Sequence, residues 1–328
     1  MAKNAPQESD GALRRNYIEP PFSVLDTKSG PWRERKNKWI EMGIKSEVGR
    51  DVEVLIGKDN DSDYMPEMRS ATSIFDPALC ELMYTWFCPE GGAILDPFAG
   101  GSVRGIVAHK MGFNYTGIEL RPEQVKANEE QAQELIKDNP PKWICGDSNF
   151  VLNDMTQMFD FVFSCPPYAD LEVYSDSPVD LSNMPYEDFL QLYRSIICKT
   201  VERLKMGHFA VFVVGDVRDK DGYYYDLISD TKKAFIDSGA GLYNEAILLD
   251  PIGTAMIRAN AAFSTKKLVK VHQNVLIFKK KGDMPSELTK RIKLDYINKC
   301  DECGGKIKKG FCEECLKDFR KIKQDMKI

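Results

Sequence analysis

The chain contains the stretch Phe161-Val162-Phe163-Ser164-Cys165-Pro166-Pro167-Tyr168. Its leading apolar residues predict the end of a buried strand. The two prolines lack backbone N–H donors and disfavour a helix, so the chain is expected to leave the sheet in an extended conformation. A planar ring stacked on Tyr168 would direct its edge towards Cys165 and the Pro166 carbonyl. The plain alternative is a strand followed by a Pro-Pro loop.

A second stretch, Leu95-Asp96-Pro97-Phe98-Ala99-Gly100-Gly101-Ser102, precedes the first one in the chain. It predicts a short buried strand, and its two glycines allow a tight turn before a helix. Helices and strands then alternate. Strands are predicted over 93–96, 114–119, 142–147, 159–164, 209–214, 242–249 and 269–279, and helices over 77–88, 102–111, 122–137, 185–205 and 223–238. This alternation predicts an α/β, Rossmann-like fold with a doubly wound, mostly parallel, seven-stranded sheet.

Acidic residues stand where the first three of these strands end. In a doubly wound sheet, ligands bind outside the carboxyl ends of the strands, where the strand order reverses. Asp96 ends the first strand, and the helix that follows Gly100 offers backbone amides to a carboxylate. Glu119 ends the second strand and suits the hydroxyls of a ribose, while Asp147 lies where an adenine would sit. Because the first loop is not Gly-x-Gly-x-x-Gly, we expect a nucleoside-shaped slot rather than a dinucleotide site.

The two stretches together resemble motifs I and IV of the S-adenosylmethionine-dependent amino-methyltransferases that act on DNA. The resemblance covers residues 70–280. It implies the class I methyltransferase fold, S-adenosyl-L-methionine as the cofactor, DNA as the partner, and methylation of adenine N6 or cytosine N4. The implied catalytic residues are Cys165, Pro166, Pro167 and Tyr168. The implied cofactor-binding residues are Phe75, Asp96, Phe98, Gly100, Glu119 and Asp147.

The sequence departs from the family pattern at two positions. Ser102 stands where a second glycine of motif I is usual. Cys165 replaces the usual Asp, Asn or Ser. By analogy with the family, its side chain and the Pro166 carbonyl would accept hydrogen bonds from the N–H groups of the target amine. A thiol is a weak acceptor and a thiolate a better one. Ser164 is expected to point to the opposite face of the strand. The rival role for Cys165 is a nucleophile on C6 of a pyrimidine, which leads to C5 methylation.

Target recognition is expected after residue 168 or in the N-terminal arm, because the two motifs are too close for an inserted domain. The segment from Leu171 to Asp176 is a predicted target-side loop, and Asp216-Val217-Arg218 either borders the cleft or forms a local ion pair. Between Asp250 and Asp283 there is no acidic residue. The basic residues of that interval are Arg258, Lys266, Lys267, Lys270, Lys279, Lys280 and Lys281. They predict a phosphate-facing surface, with a merely solvated face as the alternative.

The length of 328 residues predicts one large domain with a small appendage. We divide the chain into an N-terminal arm with a short helix (1–70), a methyltransferase domain (71–282) and a C-terminal segment (283–328). Trp32 and Trp39 of the short helix either contact nucleic acid or pack on the main domain. No apolar run is long enough to span a membrane and no signal-peptide core is seen, so a cytoplasmic location is expected.

The C-terminal segment carries four cysteines spaced as two Cys-x2-Cys pairs, Cys300, Cys303, Cys312 and Cys315. This spacing predicts a structural Zn²⁺ site with four thiolate ligands, and an iron–sulfur centre or redox thiols are the alternatives. So short a module has almost no core, and the metal would supply its folding energy. The other five cysteines stand singly in apolar contexts and are expected to be free, buried thiols: Cys80, Cys88, Cys145, Cys165 and Cys198.

Three functions fit this sequence. The first is a DNA methyltransferase that modifies an exocyclic amine. The second is an RNA methyltransferase of the same fold, since the Pro-Pro-aromatic motif also occurs there. The third is a zinc-bearing nucleic-acid-binding protein whose methyltransferase core no longer reacts.

Overall fold

The computed structural model describes residues 13–14, 17–45, 75–167, 181, 184–253, 255–289, 307–308 and 311–312. The chain divides into two compact units, one of residues 22–289 and one of residues 1–21 with 290–328. In the smaller unit, β9 (Ile307–Lys308) and β10 (Phe311–Cys312) pair in antiparallel. Residues 22–45 belong to the larger unit.

The larger unit alternates helices and strands along the chain. The strands of its sheet are β1 (Val24–Asp26), β2 (Ala93–Asp96), β3 (Asn114–Glu119), β4 (Lys142–Cys145), β5 (Phe159–Ser164), β6 (Leu204–Val214), β7 (Ala240–Leu249) and β8 (His272–Lys280). The helices are α1 (Gly30–Glu41), α2 (Pro77–Phe87), α3 (Val103–Lys110), α4 (Pro122–Leu135), α5 (Ser148–Asp154), α6 (Tyr186–Arg203), α7 (Leu227–Asp237) and α8 (Ala255–Ser264).

The strand order of this sheet is β1-β7-β8-β6-β5-β2-β3-β4. Every neighbouring pair is parallel except the two made by β8, which runs antiparallel to β6 and β7. From β2 the chain proceeds outward through β3 and β4, and then returns to β5 on the other side of β2. The predicted Rossmann-like α/β fold with a doubly wound, mostly parallel sheet is confirmed, with its switch point between β2 and β5.

The described sheet has eight strands rather than the predicted seven. The additional strand is β1, which pairs in parallel with β7 through Val24 and Ile247. The sequence gives little sign of it, because only Leu25 of its three residues is buried. So short a strand shows no alternation of apolar and polar residues from which it could be predicted.

The core lies on both faces of the central strands. Phe159, Phe161, Val162 and Phe163 of β5 are fully buried, as expected for the strand that precedes the Pro-Pro exit. On one face, α6 packs an apolar stripe against this strand and β6. The buried members of the stripe are Phe189, Tyr193, Ile196, Ile197 and Val201.

Helix α1 packs on α2 through its two tryptophans. Trp32 and Trp39 are buried, and their indole nitrogens donate to Asp76 Oδ2 at 3.0 Å and to Glu81 Oε2 at 2.7 Å. Arg35 forms an ion pair with the same Glu81. Of the two roles open to these tryptophans, the structure shows the packing role.

Two helices were not predicted. The short α5 follows directly after β4, and α8 lies in the basic interval, where Ala255 is its only buried residue. A helix that buries so little carries no apolar stripe to reveal it. None of the helices in the described part of the chain has the length and apolar character needed to cross a membrane.

Candidate active site

The two sequence motifs end at the same edge of the sheet and are bonded to each other. Strands β2 and β5 are parallel neighbours, with Leu95 opposite Val162, so Asp96 and Ser164 end them side by side. The Ser164 hydroxyl donates to Asp96 Oδ1 at 2.6 Å and accepts from the Phe98 amide at 3.2 Å. Ser164 therefore ties the strand before the Pro-Pro exit to the loop after β2.

Asp96 lies beneath its loop rather than on the surface. Its side chain is fully buried, and Oδ2 accepts from Arg104 Nε at 2.5 Å and from the Tyr115 hydroxyl at 2.8 Å. A buried charge is costly unless it is paired and hydrogen-bonded, and this carboxylate is both. The Phe98 amide also donates to Oδ1, at 3.2 Å. Asp96, a predicted cofactor contact, thus lies beneath the loop that follows β2 and holds that loop by hydrogen bonds.

Arg104 clamps the same loop from α3. Its Nη2 donates to the carbonyls of Phe98 and Ala99, each at 2.7 Å, and its guanidinium carbon lies 4.5 Å from the ring centroid of Phe75. Burial alone would lower the pKa of Arg104, but the Asp96 carboxylate, together with Tyr115 and Cys165, outweighs burial and raises it above its usual value. Sequence reasoning missed Arg104, although a charged residue among the apolar residues of the first turn of α3 was a usable signal.

The glycine turn is held at both of its backbone groups. Gly100 has a φ of +52°, its amide donates to Glu119 Oε2 at 2.9 Å, and its carbonyl accepts from Asn128 Nδ2 at 2.7 Å. Behind it, Gln124 Nε2 donates to Asn128 Oδ1 at 3.0 Å. Gln124 and Asn128 are buried and one turn apart on α4, a polar pair that the sequence analysis passed over.

Ser102 replaces the usual glycine without distorting the turn. Its φ is −73°, in the right-handed region that any residue adopts. Its hydroxyl donates to Gln131 Oε1, and Gln131 Nε2 donates in turn to the Lys45 carbonyl at 2.7 Å. The serine therefore fixes the start of α3 against α4, a role that glycine could not fill.

The other two acids stand on neighbouring strand ends at this edge, since Glu119 pairs in register with Cys145. Glu119 is half-buried, and its Oε1 accepts from the Arg121 amide at 3.0 Å. Asp147 caps α5 by accepting from the Asn149 amide at 2.7 Å. A carboxylate has about four lone-pair sites, so these contacts are compatible with hydroxyl or amine donors from a ligand.

The Pro-Pro exit borders the same cluster. Cys165 and Pro167 are half-buried and Pro166 is buried. The Cys165 thiol interacts electrostatically with both Arg104 and Tyr193, so it lies near the clamp and near the aromatic wall of α6. Tyr168 and the predicted target-side loop from Leu171 to Asp176 lie outside the described residues.

Aromatic rings line the space between the two motifs. The Phe98 ring centroid lies 5.9 Å from that of Tyr193 and 6.2 Å from that of Phe212. Burial raises the pKa of Tyr193 well above its usual value, so its hydroxyl stays protonated, and it shares a hydrogen bond of 3.0 Å with Thr231. Phe75 contacts Phe163 edge-on at 5.5 Å. Phe98 and Phe75 are both half-buried.

Asp216 and Arg218, which follow β6, contact other groups than each other. Asp216 Oδ1 accepts from the amides of Val217 at 3.1 Å and Leu227 at 3.2 Å. Arg218 donates to the Gly222 carbonyl at 2.6 Å and lies 3.8 Å from the ring centroid of Tyr224. The segment therefore folds back on itself beyond the sheet edge, and the local Asp–Arg pair that was one of its two interpretations is not formed.

The predicted zinc ligands are described only in part. Cys312 ends β10, with its backbone opposite Ile307 of β9. Cys300, Cys303 and Cys315 lie outside the described residues. The zinc site stays a prediction. Of the other five cysteines, Cys80 and Cys88 are buried as expected, but Cys145 and Cys198 are exposed.

No family model and no curated protein matches this chain. Solved methyltransferases align with parts of it or most of it at low identity. TrmN from Thermus thermophilus aligns at 14% identity and a TM-score of 0.44 over 63% of this chain, which spans 49% of the length of TrmN. A methyltransferase from Pyrococcus furiosus aligns at 16% and 0.41, covering 68% of this chain and 89% of that one. Magnesium protoporphyrin IX methyltransferase from Synechocystis PCC 6803, solved with bound SAM, aligns at 12% and 0.43, covering 85% and 100%. Similarity of this size does not identify a reaction or a substrate for this chain.

Proposed function

We propose that the protein transfers a methyl group from S-adenosylmethionine to an exocyclic amine of a base in DNA, adenine N6 or cytosine N4. The observation that carries this proposal is the bond between the two motifs. Ser164 joins the strand before the Pro-Pro exit to Asp96 and Phe98 of the glycine turn. A donor held by the turn and a base held by the exit would therefore meet at one edge of the sheet.

The residues of the cofactor half fit this donor. Glu119 would bind the ribose hydroxyls, and Asp147 would lie on the adenine side. The positive φ of Gly100 lets the backbone pass close beneath a ligand, since a bulkier residue is strained there. Phe75 and Phe98 would screen the reacting atoms from water. When bound, S-adenosylmethionine supplies an electrophilic methyl group on a sulfonium sulfur.

The residues of the Pro-Pro exit would act on the base. The lone pair of an exocyclic amine is delocalised into the ring, so the amine is a poor nucleophile. The Cys165 sulfur and the Pro166 carbonyl would each accept a hydrogen bond from one of its two N–H groups. These bonds would draw the nitrogen towards tetrahedral geometry. Most of the rate would come from holding the amine in line with the methyl group. Because a base inside a duplex is out of reach, it must be flipped out, and Tyr168 is the proposed stacking surface.

The test is a parallel assay with two polymers. Purified protein is incubated with radiolabelled S-adenosylmethionine and either duplex DNA or total RNA, and cofactor binding is measured separately by calorimetry. The proposal expects label in DNA. Label in RNA alone would identify the chain as an RNA methyltransferase. Cofactor binding without transfer to either polymer would favour a binding protein whose core no longer reacts.

We further propose that Cys300, Cys303, Cys312 and Cys315 hold a structural Zn²⁺. The two-stranded hairpin that ends at Cys312 is compatible with two turns that each present a Cys-x2-Cys pair. Elemental analysis of the protein as purified should find one zinc per chain, and a C300S C303S variant should lose it while a C198S control keeps it. Iron in its place, or no metal, would contradict the proposal.

A further inference from the structure

Two segments extend beyond the sheet edge on the side of the Pro-Pro exit. The finger (residues 217–225) follows β6 and the arm (residues 251–271, described except for 254) follows β7. Strand β6 is parallel to β5, with Phe212 opposite Ser164, and β7 runs in the same direction because β8 is antiparallel to both. The carboxyl ends of these strands therefore share the edge at which Cys165 lies.

The finger and the arm are in contact. Gly222 at the tip of the finger has a φ of +93°, and a Cβ built there would lie 2.5 Å from Lys267 Cε of the arm. The Lys267 side chain therefore packs against the tip of the finger, and its ammonium group lies where the finger and the arm meet. Arg258 and Lys266 of the arm are exposed.

The same surface leaves large apolar side chains uncovered. In the arm, Met256, Ile257 and Leu268 are exposed by 73–74%, and in the finger Tyr223 is exposed by 74%. Met256 and Ile257 are neighbours on α8, and Tyr223 and Leu268 stand next to Gly222 and Lys267, the two residues in contact. Large exposed apolar side chains on adjoining segments are typical of an interaction site. Helix α8 contributes several of them because it buries only Ala255.

Charge decides which partner this surface fits. The arm contains four basic residues and no acidic one. A second copy of the chain would form an isologous interface and bring the same positive arms together, which like-charge repulsion opposes. A polyanion would neutralise these charges and release counterions.

We propose that the finger and the arm form the DNA-docking surface, a proposal that rests on the proposed function. Arg258, Lys266 and Lys267 contact phosphates. Tyr223 and Ile257 pack on the sugars and bases beside the flipped nucleotide. Apolar side chains of proteins that distort DNA wedge between base steps in this way and offset part of the cost of unstacking.

The experiment compares two triple variants of the full chain. R258Q K266Q K267Q removes charge from the arm, and K126Q K137Q K142Q removes the same charge from exposed positions of α4, the segment after it and β4, at the other end of the strand order. Duplex binding is followed by fluorescence anisotropy over a series of salt concentrations. Each lost phosphate contact reduces the slope of log K against log salt by about 0.9, so the arm variant should lose about 2–3. The control should stay within about 0.5 of the unchanged protein.

Cofactor affinity by calorimetry should be the same for all three proteins. An unchanged salt slope in the arm variant, or an equal loss in the control, would overturn the docking surface. So would a concentration-dependent dimer that I257D abolishes while DNA binding persists. A protein that methylates DNA regardless of the arm contradicts this inference alone, and arm-dependent binding without methylation contradicts only the proposed function.

Discussion

The two halves of the candidate site are built differently. On the side of β2, β3 and β4, the polar groups around the glycine turn are buried and bonded to one another, with Asp96, Arg104 and Asn128 all closed to solvent. On the side of β6 and β7, the finger and the arm expose basic and apolar side chains such as Ile257.

This difference fits the two ligands of the proposed function. A small cofactor of constant shape is recognised best by a loop that is fixed before binding, because little ordering free energy is then lost. A polymer whose sequence varies needs a surface that contacts its constant phosphates and leaves the reading of bases to a few positions. The comparison can be tested in each half separately.

The largest effect is expected in the cofactor half, from Arg104→Met. Asp96 would be left as a buried and uncompensated carboxylate, which costs about 3–5 kcal/mol of unfolding free energy. Urea denaturation measures the loss, and cofactor affinity should fall with it. The control, Lys232→Met, breaks a partly exposed pair with Glu245 and should cost less than about 1 kcal/mol.

If R104M does not fold, the double variant D96N R104M provides the comparison. It removes both charges and should recover part of the lost stability. A double variant that folds no better than R104M would show that the ion pair is not what holds the loop.

The next effect is expected in the substrate half, from Cys165→Ala. Loss of one acceptor for the amine should slow methyl transfer by about 100-fold or more, the scale seen when a single transition-state hydrogen bond is removed. Single-turnover transfer from labelled cofactor measures it, and cofactor affinity should stay within about twofold. Cys198→Ala, at an exposed position of α6, should change neither quantity. A C165A protein of unchanged rate would remove Cys165 from the mechanism.

A smaller effect is expected from Glu119→Gln. Glu119 now accepts hydrogen bonds from the backbone amides of Gly100 and Arg121 with its two carboxylate oxygens. A glutamine side chain has only one oxygen, and its NH₂ group cannot accept. Cofactor affinity should therefore fall about tenfold, or about 1.4 kcal/mol. Calorimetry gives the value. Glu123→Gln, exposed in the first turn of α4, should bind the cofactor normally, and an equal loss there would point to net charge instead of ribose recognition.

The smallest effect is expected from Asp160→Asn. Asp160 lies near the start of β5, at the ends of the parallel strands that are away from the candidate site. Burial alone would raise the pKa of Asp160, but hydrogen bonds from Lys205 and the Ala93 amide outweigh it, so the pKa lies below its usual 3.8. The native state then binds this proton more weakly than the unfolded state. The stabilisation is present above pH 3.8 and is lost as the pH falls through the native pKa.

D160N should therefore cost less than about 1 kcal/mol at neutral pH, with the difference from the unchanged protein shrinking in acid. Urea denaturation between pH 3 and pH 7 checks this, with the exposed Asp154→Asn as the control. Methyl transfer at neutral pH should not change. A cost that grows in acid would contradict the assignment.

Much of the fold could be predicted because its central strands are buried. Phe161-Val162-Phe163 and the strand that ends at Asp96 are apolar runs bounded by turn residues, and their order along the chain indicates the parallel sheet. The short β1 and the exposed α8 lack such a pattern. The position of β1 is set by its pairing with β7, and that of α8 by its place in the arm. Neither can be read from the local sequence.

The candidate site could be predicted as motifs but not as a network. Asp96, Glu119 and Asp147 could be placed at one edge because parallel strands end together. Nothing local showed that Asp96 is buried beneath its loop, because Arg104 and Tyr115 reach it from other elements. The hydrogen bonds by which Ser164 joins β5 to the loop after β2 could not be predicted either. Its partners, Asp96 and Phe98, lie more than 60 residues away in the chain.

The proposed reaction is tested most directly by mass analysis of nucleosides from duplex DNA exposed to the protein and to S-adenosylmethionine with a deuterated methyl group. We expect deuteromethyl groups on adenine N6 or cytosine N4, where an amine held by the Pro-Pro exit would meet the donor. Deuterium on cytosine C5 would instead make Cys165 a nucleophile, and DNA without deuterium would show that the two joined loops do not serve this reaction.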